Sequence, residues 1–327
     1  MNAYDAIVIG GSAAGLSGAT VLARALRKVL VIDAAQPRNL PASYLHGYLS
    51  RDGMAPNALL AAGREELLSY GGEMKETKVN SLVQESSGAG FVVQCVDGTT
   101  IGTKTILAAT GLRDELPEVD GLSEQWGLGV LHCPYCHGYE VRTTAVAVLG
   151  GENRPFTMHQ VLLIRQWAND VVFFPNEIVL TEPERERLIA FGIRIIEGRI
   201  ARVVSAQGRV RGIELADGRI EARETIFVGP RFIPNDELLK GVECAVGENG
   251  WVTVDPAGQT SVPGVWAAGN VVDSPAQLIN AAGAGSRAAI AINHYLLEQD
   301  VQHALAATRT LAGNRTIAES ASGQPLK

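Results

Sequence analysis

Ala6-Ile7-Val8-Ile9-Gly10-Gly11-Ser12-Ala13-Ala14-Gly15 opens with four apolar residues in a row and runs straight into a glycine-rich turn. An uninterrupted apolar run of this length suits a strand buried on both faces. Beyond the turn, Leu16, Ala19 and Ala23 give one apolar helical face as far as Arg24, and a second apolar run, Val29-Leu30-Val31-Ile32, ends at Asp33. Strand, glycine turn, helix, strand and an acid about 20 residues past the glycines make the dinucleotide-binding βαβ unit. Gly10 permits the tight turn and Gly15 lets the helix pack close to the strand. The helix N-terminus then faces a pyrophosphate, and Asp33 accepts from ribose hydroxyls. Ser12 takes the middle-glycine position, where it is small enough for a phosphate to approach and brings a hydroxyl that can donate to it.

Residues 34–52 form a polar loop, followed by a helical stretch over 57–69 and hairpin-like strands over 79–83, 91–96 and 99–103. The apolar run Thr105-Ile106-Leu107-Ala108-Ala109 ends in Thr110-Gly111, and Pro117 and Gly121 punctuate a crossover. From Ala145 the scheme repeats: a strand to Leu149, Gly150-Gly151-Glu152-Asn153-Arg154-Pro155, a helix through Trp167, and the strand Val171-Val172-Phe173-Phe174. Its site chemistry differs from that of the first unit. Glu152 stands where the middle glycine belongs and would oppose a pyrophosphate, Pro155 holds the third position, and Phe174-Pro175-Asn176-Glu177 offers no arginine pair for a 2′-phosphate. Short strands continue through Val228. Trp251-Val252-Thr253-Val254-Asp255 and Val265-Trp266-Ala267-Ala268-Gly269-Asn270 read as strand endings, residues 277–297 as a long alanine-rich helix, and the polar tail after Gly313 as loose.

Between the two units lies Cys133-Pro134-Tyr135-Cys136-His137. With Cys133 at a helix cap and Pro134 at the first helical position, Cys136 falls one turn on and on the same face, so the sulfurs can close a small ring. A helix N-terminus and a cationic His137 would both favour thiolate, the form that attacks disulfides. Three other readings stand beside this one. Cys-x-x-Cys-His is a haem c attachment signature, a zinc site would need a second ligand pair that His132 and His137 are too close to supply, and the two thiols could be packing residues. Cys95 and Cys244 have no partner signal and read as packing residues.

The net charge of −7 over 327 residues leaves no basic patch for nucleic acid or an anionic membrane, and no apolar run approaches the ~20 residues of a membrane span. No metal site is expected. The N-terminus enters a strand directly, without a basic segment and a separate apolar stretch, which points to a cytoplasmic protein. Four cysteines are too few for a disulfide scaffold.

With these pieces in order, the chain resembles the FAD-dependent thioredoxin reductase family to about residue 300. The resemblance is carried by residues 10–15, Ala109-Thr110-Gly111, Cys133 to Cys136, and Ser261-Val262-Pro263-Gly264-Val265-Trp266-Ala267-Ala268-Gly269-Asn270. It implies an α/β fold of two three-layer, Rossmann-like nucleotide-binding domains, the second inserted in the first: an FAD domain over 1–116 and 245–327 with a loose C-terminal tail, and a pyridine-nucleotide-like domain over 117–244 carrying the cysteines. It also implies roles. Gly10, Ser12, Ala13 and Gly15 would hold the FAD pyrophosphate, Asp33, Ala34, Gln36 and Arg38 the adenosine side, and Val79 the adenine. Asn39, His46, Leu49 and Asp52 would lie toward the flavin, with Thr110, Gly111 and Gly269 lining the cofactor. Asn270 stands where the family has an aspartate for the ribityl chain, and Gln277 and Leu278 would begin a helix aimed at the flavin. Cys136 would be the sulfur nearest the flavin and Cys133 the exchange thiol, with His137 at an acidic proton donor's place.

The departures fall together: a histidine after the second cysteine, and a second nucleotide motif without its glycines or arginines. That combination is similar to the thioredoxin-reductase-like dithiol oxidases that close disulfides in natural products such as gliotoxin, holomycin and romidepsin. It implies a homodimeric enzyme that oxidises a small-molecule dithiol, passes the electrons to O2 and releases H2O2, with NADPH a doubtful partner and His137 or His132 as base. An NADPH-dependent reductase of thioredoxin or a related thiol protein is the alternative, and a flavin-bound protein without turnover a third.

Overall fold

The structure is a computed structural model describing residues 4–86, 88 and 90–321. Strand β1 (Tyr4–Ile9), helix α1 (Ala13–Arg24) and strand β2 (Val29–Asp33) form the βαβ unit. After α2 (Pro56–Ser69) come β3 (Glu73–Glu76), β4 (Val79–Gln84), β5 (Phe91–Cys95) and β6 (Thr100–Ala108), giving a sheet of order β3-β2-β1-β6-β5-β4. In it Val8 of β1 pairs in parallel with Val31 on one side and Leu107 on the other. The unbroken apolar run of β1 follows from layers on both faces: Ala6 and Val8 pack under α1, whereas Ile7 and Ile9 enter a second core with Phe91, Val93 and Val265.

The chain leaves this domain through β7 (Leu112–Glu115). The second domain contains β8 (Val130–Leu131), the single turn α3 (Pro134–His137), β9 (Val146–Leu149), α4 (Arg154–Ile164), β10 (Val171–Phe174), α5 (Glu182–Ala190) and β11 (Arg194–Ile195). It continues through the antiparallel strands β12 (Ile200–Ala206), β13 (Arg209–Leu215) and β14 (Ile220–Ala222) to β15 (Thr225–Val228). Its parallel sheet, β11-β10-β9-β15-β8, is covered on one face by the antiparallel strands and on the other by α4 and α5. β16 (Arg231–Pro234) returns antiparallel to β7, so the two crossings between domains form one ribbon. Then come α6 (Glu237–Gly241), β17 (Val265–Ala267), which pairs with β6, and α7 (Leu278–Ala321). The second domain is thus inserted in the first.

Three expectations change. Leu239 and Cys244 are buried in the first domain's core, so the chain is back in that domain before residue 244. Residues 251–255 form no strand, only an isolated bridge between Val246 and Val252; their alternation reports burial of Val252 rather than ladder pairing. The loose tail after Gly313 is corrected as far as Ala321, to which α7 extends, because no proline interrupts the chain before Pro325 and one helical glycine costs only about 1 kcal/mol. The rest of that tail lies outside the described residues. Among the described residues no helix is long and apolar enough to cross a membrane.

Candidate active site

The glycine turn is built as its residues require. Gly10 has φ +107°, and a Cβ there would lie 2.3 Å from the Ala109 carbonyl oxygen; a Cβ on Gly15 would lie 1.8 Å from the Gly10 oxygen. α1 therefore starts directly over β1. Ser12 caps α1 with extended backbone, its hydroxyl makes no capping hydrogen bond, and the first turn holds no acid, so that end is open to an anion. Asp33 ends β2 and accepts from Arg64 at 3.1 Å. Asn270, also in the cavity wall, donates from Nδ2 to the carbonyls of Asp273, Ser274 and Ala276 at 3.0, 3.2 and 2.9 Å. A carboxylate could not donate to those carbonyls, which accounts for the amide here, and Oδ1 remains an acceptor for a hydroxyl. The cradle fits a dinucleotide such as FAD in shape, backbone approach and donor set.

A cavity of about 760 Å³ joins this cradle to the cysteines, large enough for a cofactor site. Gly10, Ser12, Ala13, Asp33, Gln36, Asn39, His46, Thr110 and Gly111 line it. Gly269, Asn270, Gln277 and Leu278 also line it, Gly269 close against Ala14 of α1. Gly15 lies beneath the turn rather than in the wall. Four expected residues stand elsewhere: Ala34 is exposed, Leu49 is 84% exposed, Val79 is buried in the core, and Asp52 accepts from the Gly47 N–H and from His46. Arg38, expected on the adenosine side, lines the cavity but is held by Asp114 and His132.

Cys133 and Cys136 form a disulfide in the cavity wall with a Cα–Cα distance of 5.2 Å. Packing thiols look different here: Cys95 and Cys244 are buried and free, and burial raises both thiols above their ordinary pKa. Pro134 opens α3 as expected, but the helix is one turn long. Its dipole is correspondingly small. His137 lines the cavity next to Cys136. Burial lowers its pKa below 6.5, Glu140 opposes this, and His46 adds to it. His132 is pushed well below 6.5 by burial, then by the Arg38 cation and His137.

Beyond the disulfide the wall is aromatic, with Trp126, Phe156 and Phe232, and Gln160 and Leu163 beside them. Phe156, Gln160 and Leu163 share one face of α4 by spacing, but no sequence pattern says which face meets the cavity. Trp126 and Phe232 come from remote segments and carried no signal.

The second glycine motif is closed. A Cβ on Gly150 would lie 2.0 Å from the Pro175 oxygen, so that glycine serves the turn. At the start of α4 the Asn153 side chain accepts from Phe156 N at 3.3 Å, Thr157 N bonds the Asn153 carbonyl at 2.9 Å, and Pro155 has no N–H. Glu115, Glu118, Glu152 and Arg231 line the small pocket beside this turn, Arg231 ion-paired with Glu115 and 3.7 Å from Glu152. Arg154 is held by Glu184, and the Asn176 side chain by Ile200 N.

The model of the pyridine nucleotide-disulphide oxidoreductase family matches residues 4–285. Thioredoxin reductase sirT of Leptosphaeria maculans is 30% identical over 315 residues, covering 91% of this chain and 96% of its own. The solved structure of HlmI is 47% identical with a TM-score of 0.91, covering 94% of this chain and 97% of its own. An oxidoreductase from Agrobacterium tumefaciens is 34% identical with a TM-score of 0.83, covering 91% and 99%.

Proposed function

The chain belongs to the pyridine nucleotide-disulphide oxidoreductase family and is an FAD-dependent disulfide oxidoreductase, and we propose that it runs in the oxidising direction, closing a small-molecule dithiol to its disulfide with O2 as acceptor and H2O2 as product. The observation that carries this is the closed second motif: a helix start capped by Asn153 and Pro155, set beside Glu115, Glu118 and Glu152. Arg231 is paired with Glu115, which leaves a net negative pocket; an excess carboxylate near a diphosphate costs on the order of 1 kcal/mol at a protein surface, and the helix N–H groups that would offset it are taken. Electrons then have to enter from a dithiol.

Gly10, Ser12, Asp33, Asn270 and Gln277 would hold the cofactor. Bound FAD supplies a two-electron acceptor for the reduced cysteine pair and a donor to O2. His137, kept neutral by burial, takes the proton of a substrate thiol. The thiolate attacks Cys133 Sγ; the new S–S bond forms as the Cys133–Cys136 bond breaks and Cys136 leaves as thiolate. The second substrate thiolate displaces Cys133, giving the closed disulfide and a reduced pair. The balance is R(SH)2 + O2 to RS2 + H2O2. Cys133 is assigned as the exchange sulfur, with Cys136 toward the flavin.

The relative sirT carries the name thioredoxin reductase, which favours an NADPH-driven disulfide reductase as the second reading. Aerobic turnover with dithiothreitol separates the two: one O2 consumed and one H2O2 formed per disulfide, with no acceleration by NADPH, is the expected result. Absence of O2 uptake with any small dithiol would count against the oxidase.

A further inference from the structure

We propose that His132 is a catalytic hydrogen-bond donor: a neutral imidazole, locked in one tautomer by Arg38, whose Nδ1–H meets the negatively charged sulfur at Cys133. This rests on disulfide exchange at Cys133 being the protein's reaction.

The fork of Arg38 grips both oxygens of Asp114, Nε at 2.7 Å and an NH2 at 2.6 Å, and the same NH2 reaches His132 Nε2 at 3.1 Å. A guanidinium has no lone pair and does not deprotonate in proteins, so it must donate. Nε2 is therefore the acceptor and the ring proton sits on Nδ1. Among the described residues no protein group partners Nδ1, and the ring lines the cavity together with Cys133, the next residue.

Among the described residues, the charged or titratable groups facing the ring are few. Arg38 comes from the loop after β2, Asp114 on β7 balances it, and His137 comes from α3. The other neighbours are aromatic: Trp126 stacks at 5.6 Å, and the edge-on Phe232 at 6.3 Å also packs under Arg38 at 5.3 Å. A second proton would have to displace the Arg38 hydrogen bond and sit against a cation, in line with a pKa well below 6.5. Gln160 Nε2 donates to the His132 carbonyl at 2.7 Å, so the main chain is held from α4 as well.

A histidine with its lone pair taken is no base, which leaves that task to His137. It remains a preorganised donor. In the first exchange the negative charge passes from the substrate sulfur to Cys136, and in the second Cys133 is the leaving sulfur and becomes negative as the second substrate sulfur displaces it. His132 serves that second step, stabilising the departing Cys133 thiolate without changing the count of bonds, protons or electrons. One fixed donor of this kind is worth about 10² to 10³ in rate.

Two measurements on the FAD-loaded protein test this. With imidazole nitrogens labelled for NMR, His132 should stay the neutral Nδ1–H tautomer from pH 8 to 5, and Arg38→Met should let it titrate within that range. A parent His132 that protonates above pH 6, or carries its proton on Nε2, overturns the proposal. In anaerobic single turnover with dithiothreitol, His132→Phe should slow exchange about 100-fold, while His132→Asn, which keeps an N–H near the Nδ1 position, should stay within about tenfold of the parent. An Asn variant as slow as the Phe variant would show a packing role only and overturn the proposal. A parent that never exchanges with dithiols removes the proposed function and this inference with it, whereas a reactive parent matched by His132→Phe removes the inference alone.

Discussion

His137 and Cys136 are neighbours in sequence and line one cavity, so their roles can be tested residue by residue. Because burial lowers the His137 pKa, its base form persists to more acid pH than a free imidazole's, and the acid limb of kcat/KM for dithiol oxidation should fall below pH 6.5 rather than at it. His137→Ala should lose that limb and slow the reaction about 100-fold at pH 6, read from initial rates across pH 5 to 8. An unchanged profile would remove His137 as base. Cys133→Ser and Cys136→Ser should both abolish turnover, and only the variant keeping Cys136 should show a long-wavelength thiolate-to-flavin absorption. The same buried histidines set a stability trend. Their folded pKa values lie below the unfolded one, so the unfolded chain binds more protons and stability falls as pH drops below about 6.5. Melting temperature should decline from pH 7 to 5, and less steeply in a His132→Phe variant. The cysteine pair and His137 were legible because their chemistry is local in sequence. The partners of His132 were not, because Arg38, Asp114 and Phe232 meet it only after both domains have folded.

At the scale of elements, β1, α1 and β2 were readable because each carries its own signature: apolar runs for strands covered on both faces, and glycines where backbone approaches backbone. Gly15→Ala should make this concrete. Its Cβ would lie 1.8 Å from the Gly10 oxygen, so α1 must move off β1 and its N-terminus off the pyrophosphate position. FAD retained per chain after gel filtration should fall at least tenfold, and a Gly15→Ala protein holding its full complement would refute the cradle. Sequence was a poorer guide where the outcome depended on competition between segments. Residues 251–255 alternate like a strand, yet β17 holds the place beside β6 and Val252 is buried without a ladder. The length of α3 was equally unreadable, since Pro134 marks a start and nothing in Tyr135-Cys136-His137 marks the end after one turn.

The whole molecule is two domains joined by the β7–β16 ribbon, and the cavity is lined from both. Thr110 and Asn235 clasp the two crossings, Thr110 Oγ1 donating to the Asn235 carbonyl at 2.6 Å and Asn235 Nδ2 to the Thr110 carbonyl at 2.9 Å. A homodimer is expected, and α7 offers a surface for it. Ile290, Leu297, Val301 and Leu305 are all exposed and fall on one helical face by spacing. Sedimentation at micromolar protein should give twice the chain mass, and a monomer would remove the expectation. The insertion of one domain in the other came from the matched family pattern, because local periodicity does not say which strands share a sheet. The direction of electron flow is the central claim, and anaerobic reduction of the flavin tests it most directly. Dithiothreitol in one cell should bleach the flavin band, while NADPH at micromolar levels in another should leave it standing; rapid bleaching by NADPH, with none by the dithiol, would contradict the oxidase and establish a reductase in its place.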